Sequence, residues 1–381
     1  MTDMVPDDEV RFIEAGSNPT RFARGWHCVG LADDFRDGEP HEVKIFGQTA
    51  VVFADAEGKL AMIDAFCRHM GGNLAQGSIK DGQVACPFHD WRWNGQGRCT
   101  NVPYARRTPL RARTTAWLTM ERNGLLFVWN DPEGNPPPDE VTIPEIEGYG
   151  TERWSAWSWK SYLVEGAHCR EIVDNVVDMA HFFYVHFQIP RFFKNVFEGH
   201  TVTQLMHSTG REDIKTGVQM DLPEAVTRSE ATYFGPSFML DTIWTDAEGR
   251  TIEAKLVNCH YPISPNSFLL QYGIVVERQE GATPEQSQQL ADTFIDGLEI
   301  QFLQDVEVWK HKSRIENPLL TEEDGPVYQL RRWYQQFYVD VADVTPDMVQ
   351  RFEFEVDCDA AVEKWVAESN ENAARMNSTE A

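Results

Sequence analysis

The sequence predicts an α+β protein of two domains, a small antiparallel β domain followed by a larger antiparallel sheet with helices laid against it. Three observations predict it. Short β-prone runs separated by Gly- and Asp-bearing turns occupy the first third of the chain. The stretch Asn130-Asp131-Pro132-Glu133-Gly134-Asn135-Pro136-Pro137-Pro138-Asp139 can continue neither strand nor helix and divides the chain there. Beyond it, longer strand-like runs lead into a helix-length segment that starts at Pro284.

In order, residues 1–20 are acidic and poorly patterned, end in Ser17-Asn18-Pro19, and read as a mobile lead-in. The first domain spans 21–135. Its strands are expected at Val43–Phe46, Ala50–Ala54 and Leu60–Ala65, the last two joined by the turn Asp55-Ala56-Glu57-Gly58, and again at Thr115–Met120 and Leu125–Trp129. The second domain, 136–381, opens with Trp154, Trp157 and Trp159 and a helical stretch from about Glu165 to His186. Strands come next at His200–His207, Ile214–Leu222, Phe238–Thr245, Arg250–Tyr261 and Ser267–Val276, with Asp246-Ala247-Glu248-Gly249 as a hairpin turn. A long helix runs from Pro284, placed early where helices tolerate proline, to about Lys312. Helices near Pro326–Asp340 and Ala360–Arg375 close the chain.

The chain has 381 residues, with 34 Lys and Arg against 60 Asp and Glu; a net charge of −26 repels phosphate backbones and argues against a nucleic-acid partner. Its seven cysteines are odd in number and scattered. Neither an amino-terminal apolar core nor an uncharged run of about eighteen residues is visible, so a cytoplasmic, reduced protein without a membrane span is expected.

Chemistry concentrates first in Cys67-Arg68-His69 and, after sixteen residues, Cys86-Pro87-Phe88-His89. Two cysteines and two histidines can close a tetrahedral zinc site, or hold a [2Fe–2S] cluster with both thiolates on one iron and both imidazoles on the other. The order favours the cluster, because each loop carries one of each ligand where a Cys2His2 finger pairs like with like. Met70-Gly71-Gly72, and Pro87 with Gly95 and Gly97, supply tight turns that can aim backbone amides at sulfur. Cys28, Cys99, Cys169, Cys259 and Cys358 have no role beyond packing.

A second site is suggested by Asp178, His181 and His186. On a regular helix Asp178 lies about 60° from His181, whereas His186 lies about 140° away. The two histidines can share a metal only if the helix loosens across Phe182-Phe183-Tyr184-Val185, by a π-bulge or an early end before Pro190. Otherwise they are core histidines. In the helix after Pro284, Phe294, Leu298, Phe302 and Trp309 all fall within about 60° of Asp305, which places that carboxylate in the apolar stripe. Asp296, Glu299 and Glu307 point away and read as solvated. A buried carboxylate needs a partner, a metal or a salt bridge. Two histidines and one carboxylate make a face that leaves open positions on Fe(II).

The run Phe88-His89-Asp90-Trp91-Arg92-Trp93-Asn94-Gly95 is similar to the segment at the end of the second cluster loop in Rieske oxygenases. Together with the second site, the chain over about residues 24–340 resembles a Rieske non-haem iron oxygenase. The stretches from Asn175 to His186, Asn317-Pro318-Leu319-Leu320, and Glu323 to Tyr334 are similar to the branch that hydroxylates 3-ketosteroids at C9 in sterol degradation. The resemblance implies a Rieske [2Fe–2S] cluster on Cys67, His69, Cys86 and His89, one mononuclear Fe(II) on His181, His186 and Asp305, and O2 as cosubstrate. It also implies a helix-grip fold for the second domain, and a homotrimer in which the cluster of one subunit lies near the iron of the next. Asp178 occupies the position of the carboxylate that bridges them, between His181 and, across the interface, His89. Asn175 is a further candidate, as an iron neighbour or as a donor behind the ligands.

No Gly-x-Gly-x-x-Gly opens a helix, so NADH use falls to a partner, an NADH-dependent iron–sulfur flavoprotein reductase. Arg98, Arg106, Arg107, Arg111 and Arg113 form a basic run that suits an acidic donor, a solvated face or subunit salt bridges equally. Phe234, Phe238, Met239, Leu240 and Trp244 are apolar enough for a steroid pocket but read first as core. The alternatives are a Rieske monooxygenase or O-demethylase of an aromatic substrate, and a non-enzymatic electron carrier or zinc-stabilised binding module.

Overall fold

The computed structural model describes residues 13–211, 213–214, 225–247 and 249–379. The first domain holds three small antiparallel sheets. Strands β1 (Gly25–Leu31), β2 (His41–Ile45), β3 (Gln48–Ala54), β4 (Leu60–Asp64), β5 (Ser78–Lys80), β6 (Gln83–Ala85), β7 (Arg92–Trp93), β8 (Cys99–Asn101), β9 (Ala116–Trp117), β10 (Thr119–Arg122) and β11 (Leu125–Asn130) run in chain order. They pair as β1-β11-β10, β2-β3-β4-β9 and β5-β6-β7-β8. The expected strand Thr115–Met120 is two strands, β9 and β10, which join different sheets. Val51, Phe53, Ile63, Leu74, Val84 and Trp93 form the apolar floor beneath the Cys67 and Cys86 loops.

The second domain is one eight-stranded antiparallel sheet. Its strands are β12 (Ser158–Glu165), β13 (Gln188–Glu198), β14 (Thr201–Gly210), β15 (Val226–Phe234), β16 (Phe238–Ala247), β17 (Arg250–Ser264), β18 (Ser267–Val276) and β19 (Phe352–Val356), in the order β12-β18-β17-β16-β15-β14-β13-β19. The helices are α1 (Arg170–Asp174), α2 (Ala180–Tyr184), α3 (Pro284–His311), α4 (Val327–Gln335), α5 (Pro346–Val349) and α6 (Asp359–Thr379). Thr283 and Gln286 cap the start of α3 reciprocally, which fixes its first turn beside Pro284. Ala291, Ile295, Val306 and Trp309 of α3 pack on Leu270, Tyr272 and Ile274 of β18. Asp296 and Glu299 point away from the apolar stripe as expected, and at the surface they hold Lys160 Nζ at 2.7 and 2.6 Å.

Several expected elements differ. The stretch Glu165–His186 is not one helix: Glu165 ends β12, a 3-10 turn Asn175–Val177 comes after α1, and Asp178 is extended at φ −90° and ψ 98° before α2 begins. Gly325 packs against the break so closely that a Cβ there would lie 1.8 Å from the Val177 carbonyl oxygen. Strand β13 runs through Pro190, which reads in sequence as a stop. The strand absorbs it at a bulge between Pro190 and Phe192. Strands β12, β15 and β19 carry charged residues on their outward faces, which hid them from hydrophobic reading. The expected strand Ile214–Leu222 lies outside the described residues except for Ile214, which is irregular.

Residues 1–12 of the expected lead-in also lie outside the described residues, while Ala15 bridges Ile315 and the Ser17 carbonyl accepts from Arg170 (3.0 Å). The two domains share a core, because Trp26, Cys28, Phe127 and Trp129 pack with Phe238, Val257 and Cys259. Backbone amides of Phe46 and Gly47 donate to the carbonyls of Pro262 and Ile263 (2.9 Å each), and the Gln271 side chain donates to the Cys28 carbonyl (3.1 Å).

Candidate active site

Cys67 and Cys86 open two loops of the same design. In the first, the Cys67 amide donates to Gly72 O (2.9 Å) and the Gly71 amide donates back to Cys67 O (2.8 Å). In the second, the Cys86 amide donates to Trp91 O (2.9 Å) and the Asp90 amide to Cys86 O (2.9 Å). The fourth residue after each cysteine is left-handed, Gly71 at φ +77° and Asp90 at φ +55°. Lys80 and Arg92 hold the Asp90 carboxylate, which offsets the strain of a non-glycine there.

Both thiols are buried, and the rings of His69 and His89 approach to 4.7 Å between centroids at the domain surface. Trp91 stacks on His69 at 4.5 Å, and its indole N–H donates to the Tyr104 hydroxyl (2.7 Å). Burial pushes the Cys67 thiol up and the neighbouring Cys86 adds to it, so the thiols need a compensating cation to ionise together. His89 Nδ1 is buried without a partner, and a Cβ on Gly72 would come within 2.8 Å of Cys86 Sγ. These residues fit a [2Fe–2S] cluster, with two thiols on the inner side and two imidazoles on the outer. Gly72→Ala should therefore yield folded protein with cluster absorbance reduced by roughly tenfold or more. Full cluster loading in that variant would refute the close fit.

The second site forms where α2 ends. The amides of Val185 and His186 both donate to the His181 carbonyl, at 2.7 and 3.3 Å. The second of these spans five residues, so the last turn is widened, and Phe187 at φ +57° turns the chain into β13. This is the loosening that the two-histidine arrangement requires. It brings the His181 and His186 rings to 4.9 Å between centroids. Asp305 enters from α3, buried in the apolar stripe as expected, with Oδ2 3.3 Å from His186 Nε2. Ligand atoms of His181, His186 and Asp305 lie within 4.8 Å of one another.

His181 Nδ1 is hydrogen-bonded to the Asp178 carbonyl, which leaves Nε2 for a metal. Burial, then the neighbouring His186, holds the His181 imidazole below its usual range, so its lone pair is free at neutral pH. His186 Nδ1 is buried and unpartnered. Two neutral imidazoles and one carboxylate converging on one point fit a mononuclear divalent iron. Asp178 is half-exposed, and its Oδ1 accepts from the His181 amide (3.2 Å). Asn175 lines the same cavity from its 3-10 turn.

A cavity of about 850 Å³, part of it open to solvent, adjoins His181, His186 and Asp305. Alternate residues of successive strands line it, among them Met206, Ala231, Met239, Ile243 and Leu256. Of the five apolar residues singled out from the sequence, only Met239 faces it. Phe238 is wholly buried between the domains, with Phe234 and Leu240 beside it, and Trp244 lies under Arg228 and Lys255. Gln204, Ser229, Asp241 and Asn258 were missed, although polar residues at the inward register of apolar strands are a readable signal.

Comparison with known proteins agrees with this geometry. Residues 25–116 match the family model for the Rieske [2Fe-2S] domain, and residues 128–338 match that for the 3-ketosteroid 9alpha-hydroxylase C-terminal domain. The chain is 69% identical over 366 residues to a 3-ketosteroid-9-alpha-monooxygenase oxygenase component of Rhodococcus rhodochrous, covering 96% of this chain and 97% of that one. It is 56% identical over 363 residues to the Mycobacterium tuberculosis protein of the same name, covering 95% and 94%. Among solved structures, apo dicamba monooxygenase superposes with a TM-score of 0.61 at 16% identity, over 95% of this chain and 100% of that one, a likeness of fold.

Proposed function

Since the chain belongs to the family of 3-ketosteroid-9-alpha-monooxygenase oxygenase components, we propose that it hydroxylates a 3-ketosteroid at C9, using O2 and two electrons delivered by a reductase. The balance is steroid C–H, O2, two electrons and two protons giving C–OH and water. The observation that carries this reading is the convergence of His181, His186 and Asp305 on the wall of a largely apolar cavity. When bound there, a ferrous ion supplies the site at which O2 is activated, and the cluster on Cys67, His69, Cys86 and His89 supplies electrons one at a time.

The chain's own residues do the rest. The Asp178 carbonyl fixes the His181 ring, and Asp305 supplies the one anion that offsets the metal's charge. Met206, Met239, Ile243 and Leu256 give a steroid skeleton an apolar bed, worth about 2.5 kcal/mol for each 100 Å² removed from water. Positioning one C–H beside the metal and excluding bulk water are the tasks of that bed.

In this reading the partners are a 3-ketosteroid, an NADH-dependent iron–sulfur flavoprotein reductase, and further copies of the chain in a homotrimer. Phe66, Met70 and Phe88 are exposed around the half-buried His69 and His89, an apolar apron suited to burial against a second copy. In the proposed homotrimer that contact would bring His89 towards the partner subunit's Asp178. No helix among the described residues is long and apolar enough to cross a membrane, and a cytoplasmic location accords with the seven cysteines, all free.

The test is turnover by the anaerobically loaded protein with reductase, NADH, ¹⁸O2 and a 3-ketosteroid. One labelled oxygen at C9 is expected. Demethylation of methoxyarenes with no steroid product would overturn the reading.

A further inference from the structure

The cavity wall holds a carboxyl group that the chemistry above leaves unused. Asp241 lies midway along β16 with its side chain in the cavity, opposite Ala231 of β15 on one side and Leu256 of β17 on the other. Neither neighbour carries charge. It is buried, and among the described residues the side chain that hydrogen-bonds it is Ser229, whose Oγ donates at 3.0 Å. Burial, foremost, pushes the Asp241 carboxyl up to about 7.

The charged groups around it do not supply a counter-ion. Glu230 is an exposed residue of β15, and Lys255 of β17 binds Thr242 Oγ1 (3.0 Å) and pairs with Glu253 (2.8 Å). The charge of Glu230 raises and that of Lys255 lowers the Asp241 carboxyl, and a hydrogen bond from the Glu230 backbone also lowers it, so burial carries the upward shift. His181, His186 and Asp305 stand elsewhere on the wall of the same cavity. Asn258, next to Met239 on the neighbouring strand, is also buried on this wall, and its Oδ1 has no partner. Asp241 and Asn258 thus stand with Gln204 and Ser229 as polar groups on a wall that Met206, Met239, Ile243 and Leu256 otherwise make apolar.

A ketone oxygen can only accept a hydrogen bond. A carboxylate only accepts too and repels it, whereas a carboxylic acid has a proton to give. We propose that Asp241 in its acid form, oriented by Ser229, donates the hydrogen bond that recognises a ketone oxygen of the substrate. The inference rests on the steroid reading and adds to it the group that selects a ketone. Affinity is then highest while Asp241 is protonated and falls as the pH rises through its titration.

Equilibrium binding to the intact, metal-loaded protein tests this, with steroids carrying only a 3-ketone, only a 17-ketone, or neither. For the ketone that Asp241 meets, binding by the parent should weaken about tenfold between about pH 6 and about pH 8.5, the worth of one hydrogen bond in a dry site. Asp241→Asn, which keeps an N–H donor at nearly the same size, should bind within about threefold of the acid form and lose the pH dependence. Asp241→Leu should lose about tenfold for that ketone at the lower pH and leave the ketone-free analogue unchanged. The ketone that responds tells which end of the steroid lies against β16. Affinity in the parent that does not vary with pH, or an equal loss for all three steroids in Asp241→Leu, would overturn the proposal. A parent that binds none of the three would remove the steroid reading itself, and this inference with it.

Discussion

Asp305→Ala, purified without oxygen, is expected to hold about two irons and about two acid-labile sulfides per chain, against about three irons and two sulfides in the parent. Asp305 is the one anion among the three residues that converge there. Without it two neutral imidazoles remain, which cannot offset a divalent charge in a buried cavity. Changes behind a ligand already cost about 10–100-fold in metal affinity or activity, so loss of the ligand itself should lower hydroxylation by more than about 100-fold. The fold should survive, since alanine is the best helix former and position 305 is in the body of α3. An unchanged spectrum of the reduced cluster would show that the loss is local. Three irons retained in the variant would remove Asp305 from the site, and zinc without sulfide in the parent would end the oxygenase reading.

Asp178→Asn should separate the two centres without emptying either. Asparagine keeps a side-chain oxygen for the His181 amide, and the backbone carbonyl that holds His181 Nδ1 is untouched. What is lost is the negative charge beside His181, which in the proposed homotrimer faces His89 of the next copy. Metal content and the cluster spectrum should therefore match the parent, while oxidation of the pre-reduced cluster in a single turnover slows by about 100-fold or more. An unchanged rate would leave Asp178 a capping residue and no more.

The candidate donor sets stand out in the sequence because metal chemistry needs rare residue types at fixed spacing. Cys67, His69, Cys86 and His89 stand within 23 residues of one another, and the pairing of one thiol with one imidazole in each loop reappears as two loops with matched hydrogen bonds. Asp305 was readable because a carboxylate amid Phe302, Trp309 and Leu298 violates the apolar stripe. The cavity wall was not. Helix position follows from one segment's own period, whereas the inward face of β14 to β17 depends on register between strands. Strand β13 hid behind Pro190, and β15 alternates charged and small residues that resemble a loop. The extended residue at Asp178 was beyond local reading, because the backbone packed against the break, at Gly325, lies almost 150 positions later.

The proline-rich stretch after β11 looks like a hinge when read alone. The shared core of Trp26, Phe127 and Phe238, and the amide bonds from Phe46 and Gly47, turn it into a weld seam. The chain is thus a single casting, with cluster loops and metal ligands set at one separation when it folds. A swing of one half against the other would have to break that shared core, which sets such a motion at a disadvantage as a way to open or close the circuit. Control over the current must come from what occupies the cavity and from the potentials at the two centres.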